Sequence, residues 1–444
     1  MQQDDPNPIR ITSRDTAQAS ESAHASYGAH PSDTAQAHDS AQATDDRFQR
    51  FSLIGWWNQQ KLASARVLVV GAGALGNEIV KNLTMLGVGN VVVVDMDRIE
   101  NSNLSRSVLF RAADNGRYKA EVAVEAAKQI FPGIRARAVV GSIIDDVGLG
   151  LFDWADVVMG GLDNREARLF INRACYRLGK PWIDGAIETI QGTARVFVPE
   201  GHPSCTVEGG PCYECTMSEN DWRLLQLRRS CNLLTRAEME AVRSPTTPTI
   251  SSIIAGVQCQ EAVKLLHSMQ VMSGKGWVFE GLSTDSYQVE FQRKPDCLSH
   301  EPLDEVVRLD HSAAGMTVAQ LLDEARQRLG ASFELELPRE VVKEFVCPRC
   351  RKVESVFLPL GKVRAGTATC PDCAGDVQRT VETFFKLRAD CAFTDRTLLD
   401  TGIRPFDIVF ARSGTRTIGL ELSGDAASLL AECLAPSSGG LDFV

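Results

Sequence analysis

The apolar positions of this chain alternate between two periods along its middle. Arg66-Val67-Leu68-Val69-Val70 is a continuous aliphatic run, which suits a strand covered on both faces of a parallel sheet. A glycine-rich turn follows, and then a stretch over 77–86 carries Ile79, Val80, Leu83 and Leu86 at the spacing of one helix face. The same reading predicts a strand at 90–94, a helix at 119–131, strands at 136–140 and 157–160, and a helix at 165–178. Strand and helix in alternation predict a doubly wound α/β sheet. Past Pro181 the pattern turns antiparallel, with strands at 194–198, 277–280 and 287–291 around a helix at 251–267. The remainder predicts a helix at 318–329, a four-cysteine module at 346–377, and strands at 408–411 and 417–422.

Residues 1–45 have no aliphatic pattern that could offset chain ordering, so they read as a disordered tail whose His24, His30 and His38 are solvated. An aromatic-rich opening, Phe48, Phe51, Trp56 and Trp57, then begins the folded part. A net charge of −10 over 444 residues argues against bulk nucleic acid or an anionic membrane surface as the main partner. No apolar run approaches the roughly 18 residues of a membrane span, and the first residues lack the blocks of a secretory signal. A cytoplasmic location is expected. Thirteen cysteines, six of them in three C-x-x-C pairs, read as metal and thiol chemistry in a reducing compartment rather than as disulfides.

Gly71-Ala72-Gly73-Ala74-Leu75-Gly76 lies between a predicted strand and a predicted helix. Glycines there permit a tight turn and close backbone approach to a phosphate, which the helix N-terminus favours. Asp95, at the end of the second strand, stands where a ribose hydroxyl is held. To this point an NAD-linked oxidoreductase fits equally well. The segment from Asp95 to Arg106, followed by Lys119, adds an amide and two cations beyond that strand, more positive charge than a pyrophosphate bridge requires. Asp163-Asn164-Arg165, at the end of a later strand, offers an acid suited to Mg²⁺.

Over residues 46 to about 302 the chain resembles the adenylating domain of the ubiquitin-activating, ThiF/MoeB-like superfamily. The matching residues are Arg47-Phe48-Gln49-Arg50, the glycine loop, Val94-Asp95-Met96-Asp97, Asn103-Leu104-Ser105-Arg106, Lys119, Asp163-Asn164 and Cys212-Tyr213-Glu214-Cys215. The resemblance implies a Rossmann-like adenylating domain with a mixed sheet that binds ATP and Mg²⁺ through Gly71, Gly73, Gly76, Asp95, Asp97 and Asn164. Asp95 would hold the ribose, Asn103, Arg106 and Lys119 the phosphates, and Asp163 the Mg²⁺. Arg50 would reach into the site across a homodimer interface. Plainer roles stay open: Asp163 as a helix cap, Arg50 paired with a surface acid, Lys119 solvated. The implied substrate is the C-terminal glycine of a ubiquitin-like protein, and the product an acyl-adenylate.

Cys347-Pro348-Arg349-Cys350 and Cys370-Pro371-Asp372-Cys373 have the spacing of a structural zinc ribbon. Cys212 and Cys215 form a single pair that needs partners; by the resemblance these follow the last strands of the domain, where this chain has Cys297 and His300. Cys175 and Cys259 fall in apolar helical settings and read as core. Cys231, beside Arg228 and Arg229, lies where thioester-forming members carry their nucleophile, and adjacent cations favour the thiolate. An incidental loop thiol is the alternative, and Cys205, Cys391 and Cys433 rank lower.

The expected organisation is a tail (1–45), an adenylating domain (46–302), a helical connector (303–340), a zinc ribbon (341–385) and a small α+β partner-binding region (386–444). The leading expectation is ATP-dependent activation of a ubiquitin-like protein, with thioester transfer to Cys231 and hand-over to a conjugating enzyme. The alternatives are a sulfur-carrier adenylyltransferase of molybdopterin or thiamine type, an oxidoreductase, and an inactive scaffold.

Overall fold

The computed structural model describes residues 47–205, 210–230, 245–363, 365–373, 375 and 377–434. The tail over 1–45 and Cys231 lie outside them. An eight-stranded sheet forms from β1 (Arg66–Val70), β2 (Asn90–Asp95), β3 (Arg135–Val140), β4 (Val157–Gly160), β5 (Trp182–Glu188), β6 (Gln191–Phe197), β7 (Lys275–Glu280) and β8 (Asp285–Glu290). Its order is β3-β2-β1-β4-β5-β6-β7-β8. The pairs from β3 to β5 are parallel and those from β5 to β8 antiparallel, the mixed doubly wound sheet expected from the sequence.

Both faces of the parallel half are covered, which is why β1 is aliphatic at every position after Arg66. Val67 and Val69 point into one core, Leu68 and Val70 into another. Beside the short α1 (Gln59–Ser64), the first core is roofed by α2 (Ala74–Met85), α3 (Lys119–Ile130) and the helix Pro248–Leu266, with Leu62, Ile79, Val80, Leu83, Ala123 and Ile254 buried against the strands. The second receives Phe152 from Gly150–Trp154 and Ile171 and Cys175 from the helix Arg165–Arg177. It also receives Phe406, Ile408 and Phe410 from the C-terminal third.

That third builds a six-stranded sheet from β9 (Glu305–Leu309), β10 (Glu334–Val346), β11 (Val353–Pro359), β12 (Thr380–Leu387), β13 (Ile408–Ser413) and β14 (Arg416–Leu422). β13 follows the two-residue period of a strand buried on both sides. Ile408 and Phe410 face the first sheet, while Val409 and Ala411 face the helix Val318–Leu329 through Leu321, Leu322 and Ala325. The small α+β arrangement is as expected, but its segments are redrawn. Residues 303–340 are more than a helical connector: β9 pairs in parallel with β14, and β10 starts at Glu334 and runs on to the first cysteine knuckle. β10 was missed because Pro338 removes a ladder donor and charges interrupt its alternation. The strand accommodates this with a register shift between Glu336 and Val341 against β12. No helix among the described residues is long and apolar enough to cross a membrane.

A candidate nucleotide crevice and two cysteine clusters

The glycine loop sits at the carboxyl edge of β1, where open α/β sheets bind their ligands. Two of its glycines are demanded by the fold. Gly71 has φ +94°, and a Cβ there would lie 2.5 Å from the Gly161 carbonyl oxygen. One on Gly76 would lie 1.9 Å from the Gly71 oxygen. Gly73 is different: it stands at the N-cap of α2, and a Cβ on it would meet nothing within 4 Å. The space over Gly73, at a helix N-terminus, is a seat open to an anion.

Asp95 closes one end of this seat. Its carboxylate accepts from the Ala72 amide and from the Asp97 amide, each at 2.7 Å. Burial raises its pKa, opposed chiefly by the Lys119 cation. Each carboxylate oxygen can accept more than one hydrogen, so Asp95 retains acceptor capacity for a ribose hydroxyl. Lys119 starts α3; its Nζ lies 2.8 Å from Asp97 Oδ2 and its amide donates to the Asp97 carbonyl at 2.9 Å. Lys119 is therefore not a loose solvated residue. The side chain is 13% exposed and fixed by an acid beside the loop.

Asn103 is buried and accepts from the Glu100 amide at 3.0 Å, and Arg106 Nη1 donates to the Ser102 carbonyl at 2.7 Å. Sequence reasoning missed the residue that ties this segment to the glycine loop. Asn77, fully buried on α2, donates to the Ala72 carbonyl at 2.7 Å and accepts from the Leu109 amide at 2.9 Å. A polar residue on the inward face of an apolar helix was the available signal.

Asp163 follows β4 and is exposed, with no hydrogen bond or ion pair among the described residues. It is not the cap of the following helix. Asn164 caps it, accepting from Glu166 at 2.8 Å and Ala167 at 3.4 Å. Asp163 is thus an exposed carboxylate next to Gly161, which contacts the glycine loop; it shares its charge with nearby Arg168 but keeps its oxygens available as the donors a hard cation requires. Arg50 lies exposed on the turn Gln49–Leu53 and makes no hydrogen bond or ion pair with these residues. The chain by itself does not bring it into the crevice.

A second missed feature lies beneath β4 and β5. Asp184 is fully buried and holds two guanidinium groups, Arg168 Nε at 2.9 Å and Arg195 Nε at 3.0 Å. Arg168 also donates to the Leu162 and Gly185 carbonyls, so it fixes the turn that carries Asp163.

Both cysteine quartets assemble. Cys212 lies 3.7 Å from Cys215 and 3.6 Å from Cys297 between sulfurs, and His300 Nε2 lies 3.5 Å from Cys215 Sγ. In the ribbon, Cys347 to Cys373 is 3.7 Å and Cys350 to Cys370 is 3.8 Å. A zinc tetrahedron with Zn–S near 2.3 Å and Zn–N near 2.0 Å has edges of about 3.8 Å for S···S and about 3.5 Å for S···N. Both donor sets fit that metal, and His300 fits as the nitrogen ligand, its ring stacked 4.5 Å from that of Tyr176. Cys175 and Cys259 are buried among apolar residues, and burial pushes the Cys259 thiol up to about 12.

The sulfur carrier protein adenylyltransferase of Thermus thermophilus is 30% identical over 256 residues, 57% of this chain and 89% of that protein. The SAMP-activating enzyme E1 of Haloferax volcanii is 30% identical over 260 residues, 57% of this chain and 87% of that protein. Among solved structures, MccB of E. coli matches with a TM-score of 0.47 and 22% identity over 57% of this chain and 74% of that one. The family model that describes the ThiF family matches residues 46–299. That span covers more than half of the chain and includes the glycine loop, Asp95, Lys119 and Asp163, so the chain belongs to the ThiF family.

Proposed function

We propose that the chain adenylates the C-terminal carboxylate of a small ubiquitin-like or sulfur-carrier protein. The observation that carries this reading is the set Gly73, Asp95, Lys119 and Asp163: an open anion seat, a ribose acceptor, a fixed cation and an unpaired acid at neighbouring strand ends.

In this reading Asp95, with Asp97 and Asn164 in support, fixes the nucleoside, while Asn103, Arg106 and Lys119 bind the phosphates. Mg²⁺ held by Asp163 would neutralise charge on the phosphates and the departing pyrophosphate. A carboxylate oxygen of the terminal glycine attacks the α-phosphorus; the bond to the β-phosphate oxygen breaks, and pyrophosphate leaves. The attacking group is already ionised at neutral pH, so the chain's task is positioning and charge stabilisation. Arg50 of a second copy adds a cation in a homodimer, and both cysteine quartets hold structural zinc.

The finer reading is activation of a ubiquitin-like protein. The Cys231 thiolate attacks the acyl carbonyl, the C–S bond forms, AMP departs, and residues 386–444 dock a conjugating enzyme in the cytoplasm. A sulfur-carrier adenylyltransferase shares every step before Cys231. ATP–pyrophosphate exchange with a candidate small protein ending in glycine tests the common step. A non-reducing gel tests the finer one. Cys231→Ala should keep exchange and lose a thiol-sensitive band, and a band that persists would place the nucleophile elsewhere. Binding of nicotinamide cofactor without exchange refutes the whole reading.

Metal analysis supplies a separate expectation. The purified chain should carry two zinc ions, and His300→Ala should lose metal from one quartet only. Equal zinc content in the two proteins would remove His300 from the ligand set.

A further inference from the structure

In the adenylation reading, phosphates over the glycine loop and a ribose at Asp95 would direct the base across β2 toward β3, the next strand in the sheet. The segment there is 141–150. Asp95 pairs with Val140 in the ladder, and the Gly141 amide donates to the Asp95 carbonyl at 3.3 Å. Asp146 then accepts from the Ser142 amide at 2.9 Å and closes the turn.

This segment is held by the C-terminal third at five points. Lys362 Nζ pairs with Asp146 at 2.5 Å. Gly361 packs so closely that a Cβ on it would lie 2.4 Å from Asp145 Oδ1. Arg339 Nη2 donates to the Val147 carbonyl at 2.8 Å, the Leu149 amide donates to Asp407 Oδ1 at 2.9 Å, and the Gly150 amide donates to the Phe406 carbonyl at 2.8 Å. Arg339 and Asp407 are themselves paired at 3.1 Å and almost wholly buried. A loop at a strand end is ordinarily the mobile part of such a crevice. Here it is fastened by residues from 192 to 258 positions away in sequence.

We propose that the C-terminal third fixes the base-end wall of the nucleotide crevice, with Lys362 and Gly361 as positioning residues that set affinity for ATP by holding the 142–146 turn. This rests on the adenylation reading above. It gives the C-terminal third a role inside the first reaction step, separate from any docking of a partner. Lys362 touches the turn and not the reacting atoms, so its loss should weaken ATP binding without slowing the chemical step.

The test uses the full chain and magnesium-ATP, with calorimetry for binding and pyrophosphate exchange for kcat and KM. Lys362→Ala should raise the Kd and the KM for ATP about three- to fivefold with kcat unchanged, and Lys362→Arg should restore both. Gly361→Ala, whose Cβ pushes the Asp145 side chain aside, should raise them by a similar few-fold factor. Arg416→Ala removes another exposed C-terminal ion pair, to Glu305 at 2.7 Å, and should leave both constants unchanged. The inference is overturned if Lys362→Ala and Gly361→Ala bind ATP as the unaltered chain does, or if Arg416→Ala weakens binding equally. Those results leave adenylation standing. An unaltered chain that neither binds ATP nor exchanges pyrophosphate overturns both.

Discussion

Asp163→Ala is expected to lower ATP–pyrophosphate exchange by about 100- to 1,000-fold while moving the melting temperature by no more than about 1–2 °C. The two halves of this expectation come from different observations. Asp163 is exposed, makes no hydrogen bond or ion pair among the described residues, lends only its charge to nearby Arg168, and leaves the cap of the next helix to Asn164, so the fold loses little with it. The reaction loses its proposed cation ligand. Asp163→Asn should fall close to the alanine variant, since a neutral amide oxygen binds Mg²⁺ poorly. Exchange at an unaltered rate in Asp163→Ala would remove this residue from the site.

Asp184→Ala, unlike Asp163→Ala, should cost about 3–5 kcal/mol of folding stability, read as a lower denaturant midpoint. Asp184 is fully buried between Arg168 and Arg195, so truncation leaves two guanidinium groups without their shared counter-charge. Arg168, 8% exposed, cannot turn out to water without releasing the Leu162 and Gly185 carbonyls it also holds. Exchange should fall as well, because the Asp163 turn hangs from the same guanidinium. An unchanged midpoint would mean that the cluster is solvated.

The parts of this molecule legible in the sequence are those set by local pattern. The aliphatic run at 66–70, the glycine loop and the helix faces at 77–86 and 119–131 each follow from short-range periodicity, and the observed elements agree within a few residues. The two C-x-x-C pairs at 347–350 and 370–373 likewise predict one quartet from spacing, whereas the partners of Cys212 and Cys215 came from the resemblance. β5 was not legible. Its sequence, Trp182-Ile183-Asp184-Gly185-Ala186-Ile187-Glu188, places an acid and a glycine where a central strand normally carries aliphatics. Burial of that acid is possible only because Arg168 and Arg195 arrive from a helix and the next strand.

The sequence by itself determined a strand, glycine turn and helix N-terminus with acids and cations at fixed offsets around them, and it is on these residues that the resemblance to the ThiF family rests. Only the tertiary structure decided how these groups are used. It joined Asp95 to the Ala72 amide and Lys119 to Asp97, left Asp163 without a hydrogen bond or ion pair among the described residues, and brought the expected Cys297 and His300, some 85 residues on, against Cys212 and Cys215. It also seated Phe406, Ile408 and Phe410 against a face of the first sheet. The physical reason is range: periodicity records which face of an element is buried, whereas the partner of a buried charge or an apolar face is fixed by the packing of the whole chain.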